Sequence, residues 1–97
     1  MKGYIYILRS NLTSKVYYGY TTQNLHKRLS HHLDDYNRYC KGTTHYKTSY
    51  ELIDYPDARI ELVEEVEYEH KHELYEREKY YIMNNECVNR IKKKEQE

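Results

Sequence analysis

Residues 3–22 read GYIYILRSNLTSKVYYGYTT, and the parsing of this stretch decides the fold. It divides into two runs, GYIYILR at 3–9 and VYYGYTT at 16–22, around the polar turn SNLTSK at 10–15. Alternation with Tyr and Ile enrichment is a strand pattern, because successive side chains leave opposite faces and aromatic or branched groups pack well on a pleated surface. The stretch therefore predicts a β-hairpin. Five of its twenty residues are tyrosine. Strand packing accounts for tyrosines without any chemistry, so a chemical role for them has to rest on other residues.

Beyond the hairpin the period changes. From Asn24, an N-cap type of residue, Leu25, Leu29, Leu33 and Tyr36 recur at helical spacing and predict an amphipathic helix to about Tyr36. Its other face presents Lys27, Arg28, His31 and His32. NRYCKGTTHY at 37–46 reads as a loop punctuated by Gly42, HYKTSYELI at 45–53 as a short second helix, and DYPDA at 54–58 as a turn fixed by Pro56. RIELVEEVEY at 59–68 alternates imperfectly through Ile60, Leu62, Val63 and Val66 as a third strand. EHKHELYEREKYYIMNN at 69–85 sets Leu74, Tyr75, Glu78, Tyr81 and Ile82 along one helical stripe. Each element has one apolar side to bury, which predicts an α+β (mixed α/β) fold: a small, mainly antiparallel three-stranded sheet flanked by helices. The domain is expected to span residues 1–90, with 91–97 as a charged, disordered tail.

A chain of 97 residues holds one modest core, so catalysis and recognition must share one unit. No apolar run approaches the roughly 18 residues that cross a bilayer, and the N-terminus lacks a secretory pattern, so a soluble, intracellular protein is expected. Cys40 and Cys87 make no metal-binding spacing. The net charge of zero conceals a division: residues 1–50 carry eight Lys or Arg against two Asp (+6), and residues 51–97 eight against fourteen Asp or Glu (−6). The basic half suits a phosphate-facing surface. Its Lys15, Lys27, Arg28, His31, Lys41 and Lys47 are the expected phosphate-facing set, which becomes the DNA-facing set under the resemblance given below.

Three features are candidates for chemistry, each beside a plainer reading: a rim glutamate paired to Lys or Arg, a solvated basic helix face, and tyrosines that only pack a strand. Glu78 lies on the apolar stripe of the last helix, where a carboxylate needs either a cationic partner or a metal. Magnesium suits a lone carboxylate because it keeps most of its waters. Arg28 and His32 are four residues apart on one helix face, a planar phosphate fork beside a group that moves protons near neutral pH. Tyr6 and Tyr17 sit on adjacent strands, where a neighbouring Arg and a metal-bound water would favour phenolate and general-base action.

The motifs "YIY" at 4–6 and "YYG" at 17–19, Arg28 with His32, Glu78 in "EREKYYI" and Asn89 in "CVNRI" occur in that order. Together they resemble the GIY-YIG nuclease superfamily over Gly3 to Asn89. Tyr4 replaces the first motif's glycine and Tyr18 the second motif's isoleucine. "TTHYKTS" is similar to the segment after the first helix in phage intron-encoded members, which adds His45. The resemblance implies a stand-alone DNA endonuclease that cuts one strand per active site with Mg2+ or Mn2+. Glu78 would hold the metal, Tyr6 would act as base with His32 as relay, and Tyr17 would position phosphate or water. Arg28 would clamp the phosphate, and Asn89 would orient the site from the C-terminal edge. Double-strand cleavage would take a homodimer or two successive cuts. The alternatives are a catalytically inactive nucleic-acid-binding module and a protein-interaction domain using the acidic helix.

Overall fold

The computed structural model describes residues 1–89. The tail expected at 91–97 lies outside the described residues. Strand β1 (Lys2–Arg9) pairs antiparallel with β2 (Val16–Thr21) as the hairpin. Strand β3 (Arg59–Glu67) joins antiparallel on the other side of β1, so the sheet order is β2-β1-β3. As the central strand, β1 is buried on both faces from Ile5 to Leu8. The imperfect alternation of β3 has a cause in the ladder: Ile5 faces Glu64 while Tyr6 faces Leu62, so Val63 is the extra residue of a bulge. Leu62, one of the apolar residues of that alternation, is 54% exposed on this outer strand.

Strand parity sends Tyr6 and Leu8 to one face and Ile5 and Ile7 to the other. On the first face lie α1 (Leu25–Cys40) and the four-residue α2 (Tyr50–Ile53). Leu52 and Ile53 pack with Tyr6 and Leu8, with Leu25 and Leu29 against that cluster. The opposite face carries α3 (Lys71–Asn84), where Leu74 fills the space beside Gly3 and Tyr81 stacks on Tyr18 with ring centroids 5.8 Å apart. Arg77 and Tyr81 both donate to the Glu64 carboxylate, each at 2.7 Å, fastening α3 to β3.

Three expectations about the helices are corrected. Helix α1 begins where Asn24 Oδ1 accepts the Lys27 amide at 2.8 Å, but it runs to Cys40 rather than to Tyr36. The extra turn is held by Tyr39, which packs on Tyr36 and Tyr50, and the chain then turns at Gly42, whose φ of +80° suits glycine. Its inward row is the buried His32 with the half-buried Leu25, Leu29 and Tyr36, not the all-apolar row through Leu33, which is 43% exposed. His32, read as part of the outer face, takes that place because its ring meets two tyrosines of the sheet. In α3, Tyr75 is likewise 38% exposed, off the stripe that buries Leu74.

After α3 the chain returns to the outer edge of β2. The Val88 amide donates to the Val16 carbonyl at 2.9 Å, and the Asn89 side chain accepts from the Tyr18 amide at 2.8 Å while donating to its carbonyl at 2.6 Å. One amide side chain thus does the work of a strand residue along an edge that would otherwise be open.

Candidate active site

The hairpin register places Tyr6 opposite Gly19 and Leu8 opposite Tyr17, so the two tyrosines are diagonal neighbours on the α1 face. The Tyr6 ring lies where a side chain at position 19 would be: a Cβ there would overlap its hydroxyl and Cζ. Gly19 is therefore required for space, since its backbone is not in the left-handed region.

Helix α1 supplies the partners of Tyr6. Arg28 and His32, one turn apart, both reach its hydroxyl: Arg28 Nε donates to the oxygen at 3.1 Å, and His32 Nε2 lies 2.7 Å from it. The imidazole meets both rings edge-on, at 5.8 Å from Tyr6 and 6.0 Å from Tyr17. Burial, reinforced by the Arg28 charge, pushes His32 down to about 4. The ring is therefore neutral near pH 7, and its tautomer protonated on Nδ1 is the one in which Nε2 accepts from the Tyr6 hydroxyl. Burial also raises the Tyr6 hydroxyl above the ordinary phenol value, outweighing the opposing pull of Arg28. Tyr17 is raised strongly, again by burial first and then by the neighbouring Tyr6 and Glu78. In the free protein both phenols keep their protons, and Arg28 alone does not make a phenolate.

Glu78 enters from α3. Burial lifts its carboxyl to about 7 against the lowering effect of Arg28. These groups surround an open cleft of about 380 Å³, lined by Tyr6, Tyr17 and Gly19 of the hairpin, by Arg28 of α1 and by Lys71 and Glu78 of α3. The end of β2 and the start of its connection to α1, Tyr20 to Gln23, form the rim, so Tyr20 also lines the cleft. Glu78 is the single carboxylate among the lining residues.

The remaining expected residues lie elsewhere. Asn89 touches the backbone of Tyr18, between Tyr17 and Gly19, and so bears on the site through the strand. His45 is exposed in the connection between α1 and α2, outside the residues that line the cleft. Of the expected DNA-facing set, Arg28 lines the cleft; Lys27 and His31 lie exposed on α1 and Lys41 caps its end. Lys15 is paired with Glu51 at 3.4 Å and Lys47 with Asp35 at 3.1 Å. Lys71 and the rim residues were not singled out from sequence. The spacing of seven between Lys71 and Glu78, two helical turns, was the available signal for Lys71.

His32 sets one acid-side property of the fold. Its folded value lies below the unfolded one, so its contribution is complete above about 6.5 and is lost as pH falls through about 4. His32→Gln should remove a stability difference on the order of 2 to 3 kcal/mol between those limits. Urea unfolding of both proteins at pH 4 and 7 measures it; parallel curves would mean that His32 is not buried neutral.

A tyrosine is thus held between an arginine and a neutral imidazole and shares an open polar cleft with one carboxylate. The chain belongs to the GIY-YIG family: the model of the GIY-YIG catalytic domain matches residues 2–92. The α+β fold agrees with that membership, which makes the domain a nuclease-type catalytic module. No curated protein and no solved structure matches the chain. Among the described residues no helix is long and apolar enough to cross a membrane.

Proposed function

We propose that this domain is an endonuclease that hydrolyses DNA phosphodiesters with one divalent cation, magnesium or manganese, held at Glu78. The observation that carries the proposal is the Tyr6 hydroxyl fixed at 3.1 Å from Arg28 and 2.7 Å from His32 in a cleft whose one carboxylate is Glu78. Among the described residues no three His, Cys, Asp or Glu gather into a cage for a metal. That donor set fits a hard cation that takes one carboxylate and completes its shell with water and phosphate oxygens. When bound, such a cation neutralises charge on the phosphate and the leaving oxygen.

The chain's own groups do the rest. Arg28 uses Nε on Tyr6, which leaves its terminal amino groups to grip the phosphate as negative charge builds there. The attacking water forms the new P–O bond and gives its proton to the Tyr6 oxygen, while the Tyr6 proton passes to His32 Nε2. The bond to the leaving oxygen breaks, and solvent returns a proton to it. An anionic phosphate over the site opposes the burial and Arg28 effects that keep His32 neutral, so substrate itself favours the relay. Tyr17 sets the phosphate or water in line, and Asn89 holds the strand that carries it. One such site cuts one strand, and double-strand breaks require a second copy or a second event.

Supercoiled plasmid should be nicked in magnesium or manganese and left intact in EDTA. Arg28→Ala should lower the rate by about 10² to 10³-fold, the usual loss of a transition-state donor. If the wild-type protein binds DNA yet leaves it uncut in every metal tried, the domain is a binding module instead.

A further inference from the structure

We propose that Lys71 is a phosphate-holding residue of the same cleft, gripping a DNA phosphate that flanks the scissile one; this rests on the nucleic-acid part of the reading above. Lys71 is the first residue of α3 and lines the cleft with Glu78. With Arg28 it supplies the positive charge of the cleft lining. Among the described residues neither cation is ion-paired with a carboxylate, whereas Lys2, Lys15, Lys47 and Arg77 each are. The setting sharpens the point. Residues 69–78 contain four glutamates and two cations, Lys71 and Arg77. Arg77 is committed to Glu64 at 2.7 Å, so the cation directed at the cleft is Lys71.

Helix geometry says which phosphate it reaches. Seven residues separate Lys71 from Glu78, so both lie on one face of α3 about 10.5 Å apart along its axis. A DNA strand rises about 3.4 Å per nucleotide, so a phosphate beside Glu78 and one beside Lys71 are different phosphates of the strand. Arg28 and Glu78 address the scissile group, and Lys71 addresses the backbone to one side of it. A flexible lysine stem suits this task, because it needs charge and reach rather than a fixed fork. The consequence is a substrate requirement: the strand must continue past the cut on the α3 side, and the missing contact should appear in KM rather than in kcat.

The test uses the full chain and a fluorescent duplex oligonucleotide in EDTA, read by anisotropy. Lys71→Ala should reduce the slope of log affinity against log salt by about one phosphate contact, and Lys71→Arg should restore it. Neutral methylphosphonate linkages are then placed one at a time along the strand. One flanking position should weaken wild-type binding by about fivefold or more and leave Lys71→Ala unchanged, as expected for a contact already lost. In magnesium, Lys71→Ala should raise KM by a similar factor with kcat within about twofold. Identical salt slopes and identical methylphosphonate profiles for wild type and Lys71→Ala would overturn the proposal. If the flanking-phosphate signature is present but no metal supports cutting, the nuclease reading fails while the Lys71 contact stands.

Discussion

Glu78→Gln should abolish cleavage in magnesium and manganese, a loss of about 10³-fold or more, while making the free protein more stable at pH 8. The two effects have opposite signs because the carboxylate serves the cation and burdens the fold. Burial on α3 lifts the Glu78 carboxyl to about 7, and the Arg28 charge in the cleft offsets that only in part. The folded value is above the unfolded one, so the folded chain holds an extra proton between the two. The associated stability is complete below about pH 4.5 and is lost as pH rises through about 7. Glutamine keeps the shape and never ionises. Allowing for the screening of a carboxyl that still borders solvent, the gain at pH 8 should be on the order of 1 to 2 kcal/mol. Urea unfolding at pH 5 and pH 8 decides it: the two proteins should converge at the lower pH and separate at the higher. Loss of cutting with no separation at pH 8 would mean that the carboxyl is not desolvated.

Tyr6→Phe should lower cleavage by about 10² to 10⁴-fold, the usual contribution of a proton-transfer group, with the fold retained. The ring stays beneath Gly19, so the packing that fixes the hairpin survives. What disappears is the oxygen that Arg28 and His32 share, at 3.1 and 2.7 Å. His32 is 5% exposed, so its Nε2 would lose its partner without gaining water, at a cost of about 1 to 3 kcal/mol. Tyr17 meets His32 as a T-shaped ring pair, so Tyr17→Phe should cost less stability than Tyr6→Phe. Circular dichroism, urea unfolding and the nicking assay on both variants separate the roles. Equal stability losses would argue that the Tyr6 hydroxyl is not anchored as described.

Much of the fold was legible because its signals are local. The period of two in residues 3–9 and 16–22, the polar turn between them and the N-cap at Asn24 depend on neighbours in sequence. They reappear as β1, β2 and the start of α1. The misses share a different cause. Nothing near Leu33 or His32 says which faces the sheet, because a step of three and a step of four are equally helical. The choice was made by Tyr6 and Tyr17, strand residues distant in the chain. The end of α1 was likewise decided by Tyr50, whose ring centroid lies 4.9 Å from that of Tyr39.

The site divides along the same line. Residue types and their order determined which groups could take part: two tyrosines on a hairpin, an arginine and a histidine one turn apart, a lone glutamate on an apolar stripe. Their protonation and their partners were decided by tertiary structure alone. Desolvation is a property of what closes over a group, and here it keeps both phenols protonated, holds His32 neutral and raises Glu78. The same closure turned Asn89 toward a strand edge, left His45 outside the cleft and brought Lys71, unremarkable in sequence, to its lining.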